Sequence, residues 1–298
     1  MKRLRLGTRG SRLALIQSQR VAAALRARGV EVQLVEVVTE GDLRPVGMSP
    51  GEGVFVAALE RELASGAIDL AVHSAKDIPL KLHPELAIGA YPERADPRDV
   101  LVTRAGGSTL AQLAAASVVG TDSPRRGAFL LHRRPDLVHS PLGGNVDTRL
   151  RKLDGGETDA LILAAAGLHR LSAAGRVDEC LDPRVMTPAP GQGALAIQCR
   201  VADGETREIL SALDRPELRL VVETERRVLA ATGGSCRSPV GALATVGGGR
   251  LRLLAAAAAL DGSAHHLVEL EGEPLAASGN RLAEAAAGEL LRRVALPA

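Results

Sequence analysis

One unit recurs along the chain and constrains its fold more than anything else. A short apolar run ends in a polar or glycine-rich cluster, and a stretch with helical spacing follows. The clearest instance is Ile68-Asp69-Leu70-Ala71-Val72-His73-Ser74-Ala75-Lys76-Asp77-Ile78-Pro79. Its first residues read as a buried strand, and Pro79 stops regular structure after the polar cluster. Such alternation predicts an α/β fold with open sheets. In these sheets ligands sit beyond the carboxyl ends of the strands, which is where an acid, an amine and an imidazole fall here. Only four of the 37 basic residues are lysine, so Lys76 is not casual surface decoration.

The unit begins at the N-terminus. A strand is predicted over 4–7, a helix over 11–28 and a second strand over 32–38, followed by a Gly/Pro-rich loop at 39–53 that reads as a mobile lid. Helix 54–64 then leads into the strand ending at His73. A second series starts near Asp99, with strands at 100–103, 117–120, 137–140 and 159–165 and helices between them. Pro188-Ala189-Pro190-Gly191-Gln192-Gly193 reads as a linker into a strand at 194–199. If that strand returns to the first sheet, the chain crosses twice between two lobes, an arrangement that makes a hinged cleft. From Glu217 the pattern changes to helix 217–231, grouped strands at 240–246, 251–260 and 265–270, and helix 280–294, which suggests a small α+β domain. The expected domains are 1–93 with 194–213, then 98–188, then 216–298.

At 298 residues the chain can bury large cores. Phe55, Phe129 and Tyr91 are its whole aromatic inventory, so those cores must be aliphatic. A formal charge of +2 is spread without a basic tail or aromatics for base stacking, which argues against a nucleic-acid binder. No apolar stretch reaches the length of a membrane span, and Met1-Lys2-Arg3-Leu4-Arg5-Leu6 leads into a strand rather than a signal core. Three widely spaced cysteines form neither a disulfide framework nor a CxxC. The expectation is a cytoplasmic, reduced protein with no membrane or nucleic-acid partner. No metal is expected, because no His/Cys/carboxylate spacing recurs, and no phosphate-binding GxxxxGK or GxGxxG follows a strand.

Three further clusters carry chemistry. In Gly120-Thr121-Asp122-Ser123-Pro124-Arg125-Arg126, a capping hydroxyl and two guanidinia at a helix start suit an anion, although an ordinary cap with solvated arginines fits equally well. Gly7-Thr8-Arg9-Gly10-Ser11 repeats the theme, and Arg149 and Arg170 stand near other strand–helix junctions. Taken together they suit a ligand with several carboxylates; taken singly each reads as a surface residue. Gly234-Ser235-Cys236-Arg237-Ser238 sets a cysteine in a turn, where a neighbouring Arg favours the thiolate. For a lone loop cysteine, an inert role is the ordinary reading.

In order, these segments resemble the porphobilinogen deaminase (hydroxymethylbilane synthase) family. The resemblance rests on Thr8-Arg9-Gly10-Ser11, Thr39-Glu40-Gly41-Asp42, the stretch from Ala71 to Pro79, Gly120 to Arg126, and Gly144-Asn145-Val146-Asp147-Thr148-Arg149-Leu150. Leu163-Ala164-Ala165-Ala166-Gly167-Leu168, Pro190-Gly191-Gln192-Gly193-Ala194 and Gly234-Ser235-Cys236-Arg237 complete it. It implies two periplasmic-binding-protein-like α/β lobes with a double crossover plus a small C-terminal α+β domain, in a monomer. It implies a transferase that condenses four porphobilinogen molecules head to tail, releasing ammonia, to give linear hydroxymethylbilane for haem and other tetrapyrroles.

The resemblance assigns roles as well. Asp77 is the catalytic carboxylate, and Cys236 is the thioether attachment point of a dipyrromethane cofactor. Lys76, Ser123, Arg125, Arg126, Asn145 and Arg149 contact that cofactor. Arg9, Ser11, Gln17, Phe55, Arg149, Arg170 and Gln192 contact substrate. Departures from the family pattern are Gly143 where an Arg is usual, Glu52 for a lid Lys, and Asp122 for a Ser or Thr, with Pro124 and Pro141 as unusual neighbours. Lost contacts of about 1–3 kcal/mol each imply an active enzyme slowed tenfold or more. The rival readings are a degenerate relative with little turnover and a two-lobed solute-binding module.

Overall fold

The computed structural model describes residues 3–38, 54–235 and 237–297, apart from the side chains of Val54 and Phe55. The 39–53 loop, with Glu52, and Cys236 lie outside the described residues. The chain forms two compact units. Of the described residues, unit 1 takes those up to Arg94 together with Ala194–Arg219, and unit 2 takes those of Ala95–Gly193 and those from Leu220 onward.

Unit 1 is a five-stranded sheet with helices. Its strands are β1 (Arg3–Thr8), β2 (Glu31–Glu36), β3 (Leu70–Ser74), β4 (Leu86–Ala90) and β10 (Leu195–Arg200), in the order β2-β1-β3-β10-β4. The first three are parallel, while β10 runs antiparallel to both β3 and β4. Helix α1 (Arg12–Arg26) is capped by Ser11 and buries Val21, Ala22 and Leu25 against the sheet, and α2 (Val54–Ala64) buries Leu59 and Leu63. The core is Leu, Val, Ile and Ala, as the scarcity of aromatics requires.

Unit 2 holds a second sheet of the same plan, β5 (Asp99–Thr103), β6 (Val118–Gly120), β7 (Val138–Ser140), β8 (Ala160–Ala164) and β9 (Glu179–Cys180), in the order β7-β6-β8-β5-β9. Here too three parallel strands meet an antiparallel one, β5. The antiparallel strands β5 and β10 are in each case the first after the chain changes unit, so the double crossover expected from the sequence is present. Helices α3 (Pro124–Arg133), α4 (Val146–Asp154) and α5 (Ala165–Arg170) accompany this sheet.

The C-terminal region forms an antiparallel meander, β11 (Val240–Gly247), β12 (Arg250–Ala258) and β13 (His265–Gly272). Before it come α6 (Gly204–Ser211), in unit 1, and α7 (Pro216–Ala231); α8 (Ala276–Arg293) follows it. Ala256 and Ala258 of β12 pack with Phe129 and Leu130 of α3 in one core. The alanine run thus lets a sheet approach a helix closely.

The mixed α/β class with a small C-terminal three-stranded region matches the expectation. The sequence reading had no element at β4, β9 or α6. β4 is five residues set between turns, and its Gly89 signals a close approach rather than a loop, because an added Cβ would collide with Leu210 of α6. Among the described residues no helix is long and apolar enough to cross a membrane.

Candidate functional site

In unit 1 the polar cluster stands at the carboxyl end of β3, as its sequence predicted. The chain leaves Ser74 into a single 3-10 turn, Ala75–Asp77, and Pro79 prevents its extension. Ala75 is buried and anchored by its N–H to the carbonyl of Ala194 at 2.9 Å, whereas Asp77 is exposed and Lys76 half-buried. The turn therefore pins its backbone and presents its carboxylate. Gln17, buried on α1, donates from Nε2 to Ser74 Oγ at 3.0 Å and so ties the helix to this strand end. Ser11 caps the same helix, its Oγ accepting from Ala14 N at 3.4 Å, and Arg9 is half-buried just before it.

His73, the imidazole of the cluster, is buried and faces inward. Its Nε2 lies 3.1 Å from Gln198 Oε1, and Gln198 Nε2 donates to Glu60 Oε1 at 2.7 Å. Burial, with the nearby charge of Arg9 acting in the same direction, lowers its pKa to about 4 against the hydrogen bond to Gln198. It is a neutral part of the interior at ordinary pH.

In unit 2 the start of α3 has the predicted cap: Ser123 Oγ accepts from Arg126 N at 3.5 Å. Pro124 occupies the first turn, a favoured place because no N–H is needed there, so its presence is structurally ordinary. The next two residues do not point to solvent. Arg125 and Arg126 are both buried against Asp99, the first residue of β5, at 2.7 Å and 2.8 Å. Arg125 Nη1 also donates to the carbonyl of Thr187, and Arg126 Nη1 to that of Ile162 at 3.2 Å. Burial pushes the Asp99 carboxyl up, but Arg125, Arg126 and Gln192 together hold it below the usual carboxylate range. One carboxylate thus faces two guanidinia, leaving a surplus positive charge.

The other predicted residues divide between surface and interior. Asn145 caps α4 and is exposed, and its side chain makes no capping bond. Arg149 is half-buried and turns back to the Gly144 carbonyl through Nε at 2.8 Å. Arg170 is buried, donating to Gly193 O at 2.7 Å, and Gln192 is buried, donating to Pro97 O at 2.7 Å and Asp99 Oδ1 at 2.9 Å. Phe55 lies in the first turn of α2. Cys236 is outside the described residues, but the chain on either side is ordered by Ser235 N donating to Ser238 Oγ at 2.8 Å. Gly233 there adopts φ +67°, a conformation that favours glycine.

Asp99 and Glu225 were not singled out from the sequence. Asp99 opens a strand whose other residues are all buried, and an acid in that position needs cationic partners, which the Arg125-Arg126 pair supplies. Glu225 on α7 is wholly buried and accepts from Gly191 N at 2.7 Å and Ala244 N at 2.8 Å. Among the described residues, no three His, Cys, Asp or Glu side chains are grouped so as to hold a metal.

Residues 4–208 match the family model described as Porphobilinogen deaminase, dipyromethane cofactor binding domain, and residues 219–290 match Porphobilinogen deaminase, C-terminal domain. This chain belongs to the porphobilinogen deaminase family. A porphobilinogen deaminase of Acidothermus cellulolyticus is 50% identical over 289 residues, covering 94% of this chain and 87% of that protein. One of Roseiflexus castenholzii is 46% identical over 87% of each chain. Among solved structures, the methionine-binding protein MetQ aligns at 12% identity over 71% of this chain and 89% of its own, with a TM-score of 0.47, and nothing is inferred from so distant a likeness. Gly143, the position where the resemblance led to the expectation of an Arg, has nothing within 4 Å of the place a Cβ would occupy. A longer side chain there would enter open space.

Proposed function

We propose that this chain condenses four porphobilinogen molecules head to tail, with loss of ammonia, to give linear hydroxymethylbilane. The observation that carries the reading is the surplus cation of the Arg125–Arg126–Asp99 group, within the region that matches a dipyrromethane-binding family model. Pyrroles of this class carry acetate and propionate groups. A buried guanidinium pair with a single counter-ion fits such a ligand, and Arg125 Nε meets no hydrogen-bond partner among the described residues. When bound, a dipyrromethane supplies the electron-rich pyrrole carbon from which the product chain is built. Its thioether attachment to Cys236 is part of the proposal.

The chain's own residues then have these tasks. Asp77, exposed on a fixed turn, hands a proton to the departing amine and later takes one from the ring carbon. Its carboxylate also stabilises the cationic methylene of the substrate as ammonia leaves. Lys76, Arg9, Ser11 and Arg149 are the carboxylate contacts nearest the surface, with Asn145 and Ser123 supporting through helix starts. Gln17 fixes Ser74, and Arg170 and Gln192 hold the backbone around Gly193. Phe55 is assigned to a pyrrole face. The division into 1–93 with 194–213, 98–188 and 216–298, a monomeric state and a cytoplasmic location without nucleic-acid or membrane partners complete the proposal.

The relatives compared carry one enzyme name, which does not favour a degenerate or purely solute-binding chain. The test is intact mass after expression in cells that make porphobilinogen. A mass increment of a dipyrromethane is expected, and it disappears in Cys236→Ser. A chain without the increment would overturn the cofactor assignment.

A further inference from the structure

Asp99 is wholly buried, and among the described residues the partners of its carboxylate are cations and an amide. Arg126 Nε donates to Oδ1 at 2.9 Å, Gln192 Nε2 donates to the same oxygen at 2.9 Å, and Arg125 Nη2 approaches Oδ2 at 2.7 Å. Gln192 in turn accepts from Arg126 Nη2 at 3.3 Å and donates to Pro97 O. All these residues belong to unit 2, and Pro97, Asp99 and Gln192 lie within a few residues of two places where the chain changes unit, Arg94/Ala95 and Gly193/Ala194. Within unit 2 those two segments are joined directly, Ala95 N donating to Gly193 O at 3.1 Å.

Two fixed guanidinia in a desolvated place would repel each other without a counter-ion. A second carboxylate would neutralise both and leave nothing for an anionic ligand. We infer that Asp99 is a positioning residue for the carboxylate-binding arginines: it aims Arg125 and Arg126 from one shared oxygen pair, leaves a single surplus positive charge for one ligand carboxylate, and through Gln192 ties that charge to the returning segment before Gly193. The inference rests on the proposed carboxylate ligand for its biological meaning, but not for its physical test.

The test is a double-mutant cycle on the full chain, read by thermal midpoint and by binding of inorganic phosphate at fixed ionic strength. Asp99→Asn leaves two buried positive charges, so it is expected to lower the midpoint and to bind phosphate at least tenfold more tightly than the unaltered chain, its midpoint rising with phosphate by linkage. Adding Arg125→Gln removes one of the two charges, so the double variant is expected to be more stable than Asp99→Asn alone and to lose the enhanced phosphate binding. Strictly additive midpoints, or phosphate binding by Asp99→Asn no tighter than that of the unaltered chain, would overturn the inference. If Asp99→Asn yields no folded protein, recovery of folded protein in the double variant supports it and failure to recover overturns it. The mass of the unaltered chain separates the two ideas. A chain lacking the dipyrromethane increment but showing the coupled phosphate response refutes the proposed cofactor and leaves the role of Asp99 standing.

Discussion

The end of β3 in unit 1 and the start of α3 in unit 2 look alike in sequence. Each is an apolar strand followed by a hydroxyl and then charged residues, Ser74-Ala75-Lys76-Asp77 in one and Thr121-Asp122-Ser123-Pro124-Arg125-Arg126 in the other. The structure treats them in opposite ways. After β3 a single 3-10 turn leaves Asp77 in water, while α3 carries both arginines into the interior onto Asp99. The difference teaches that charge type follows from environment. A proton carrier has to reach solvent and substrate, whereas a binding charge gains selectivity from being desolvated and held.

The sharpest way to break the comparison is to remove the two carboxylates separately. Asp77→Ala is expected to lower the rate of ammonia release about 10²–10⁴-fold, the usual contribution of a positioned acid–base group. Because the residue is exposed, its thermal midpoint should barely move. Near-normal turnover in that variant would remove Asp77 from the chemistry. Asp99→Ala should act first on stability, costing about 3–5 kcal/mol by stranding two buried cations, as read by denaturant unfolding. If it unfolded at the same denaturant concentration as the unaltered chain, the buried cluster would have no structural weight.

Acid should act on the region behind β3. His73 has its folded pKa lowered from 6.5 to about 4, so between those values the unfolded chain binds a proton that the folded chain does not. Its contribution is therefore intact above pH 6.5, falls as the pH drops, and is wholly lost below about 4. At about 1.4 kcal/mol per unit the total is about 3 kcal/mol. His73→Gln should flatten the stability profile across that window, and an unchanged slope would show that the imidazole is not the group responsible. Asp99 sharpens the contrast, since its depressed pKa keeps its contribution intact until the pH falls below the ordinary carboxylate range. The smallest effect is expected at Gly143→Arg. The space is open, so folding should be unaffected while turnover rises by up to about tenfold; a steady-state comparison with the unaltered chain decides it.

Much of this was legible in the residues. Strand-end clusters fix where polar groups emerge, because Pro79 and the Ser123-Pro124 start allow only one local geometry each. Apolar runs of β type marked eleven of the thirteen strands among the described residues and the change of plan after residue 216, and the order of motifs carried the family. Cys199, the last residue of the strand expected over 194–199, is buried there, and burial pushes its thiol up. β4 escaped because five residues with a central glycine carry too little pattern of their own, and their place depends on Leu210 more than a hundred residues away.

The sequence by itself determined the alternating α/β plan, the aliphatic core and the identity of the charged residues, all of which follow from local pattern and composition. Only the tertiary structure decided which charges stay in water and which are buried. Asp99 meets Arg125 and Arg126 across 26 and 27 residues of chain, and Gln192 across 93. No local rule connects such positions. The cost of an unpaired buried charge, which exists only once the fold has excluded water, selects the pairing.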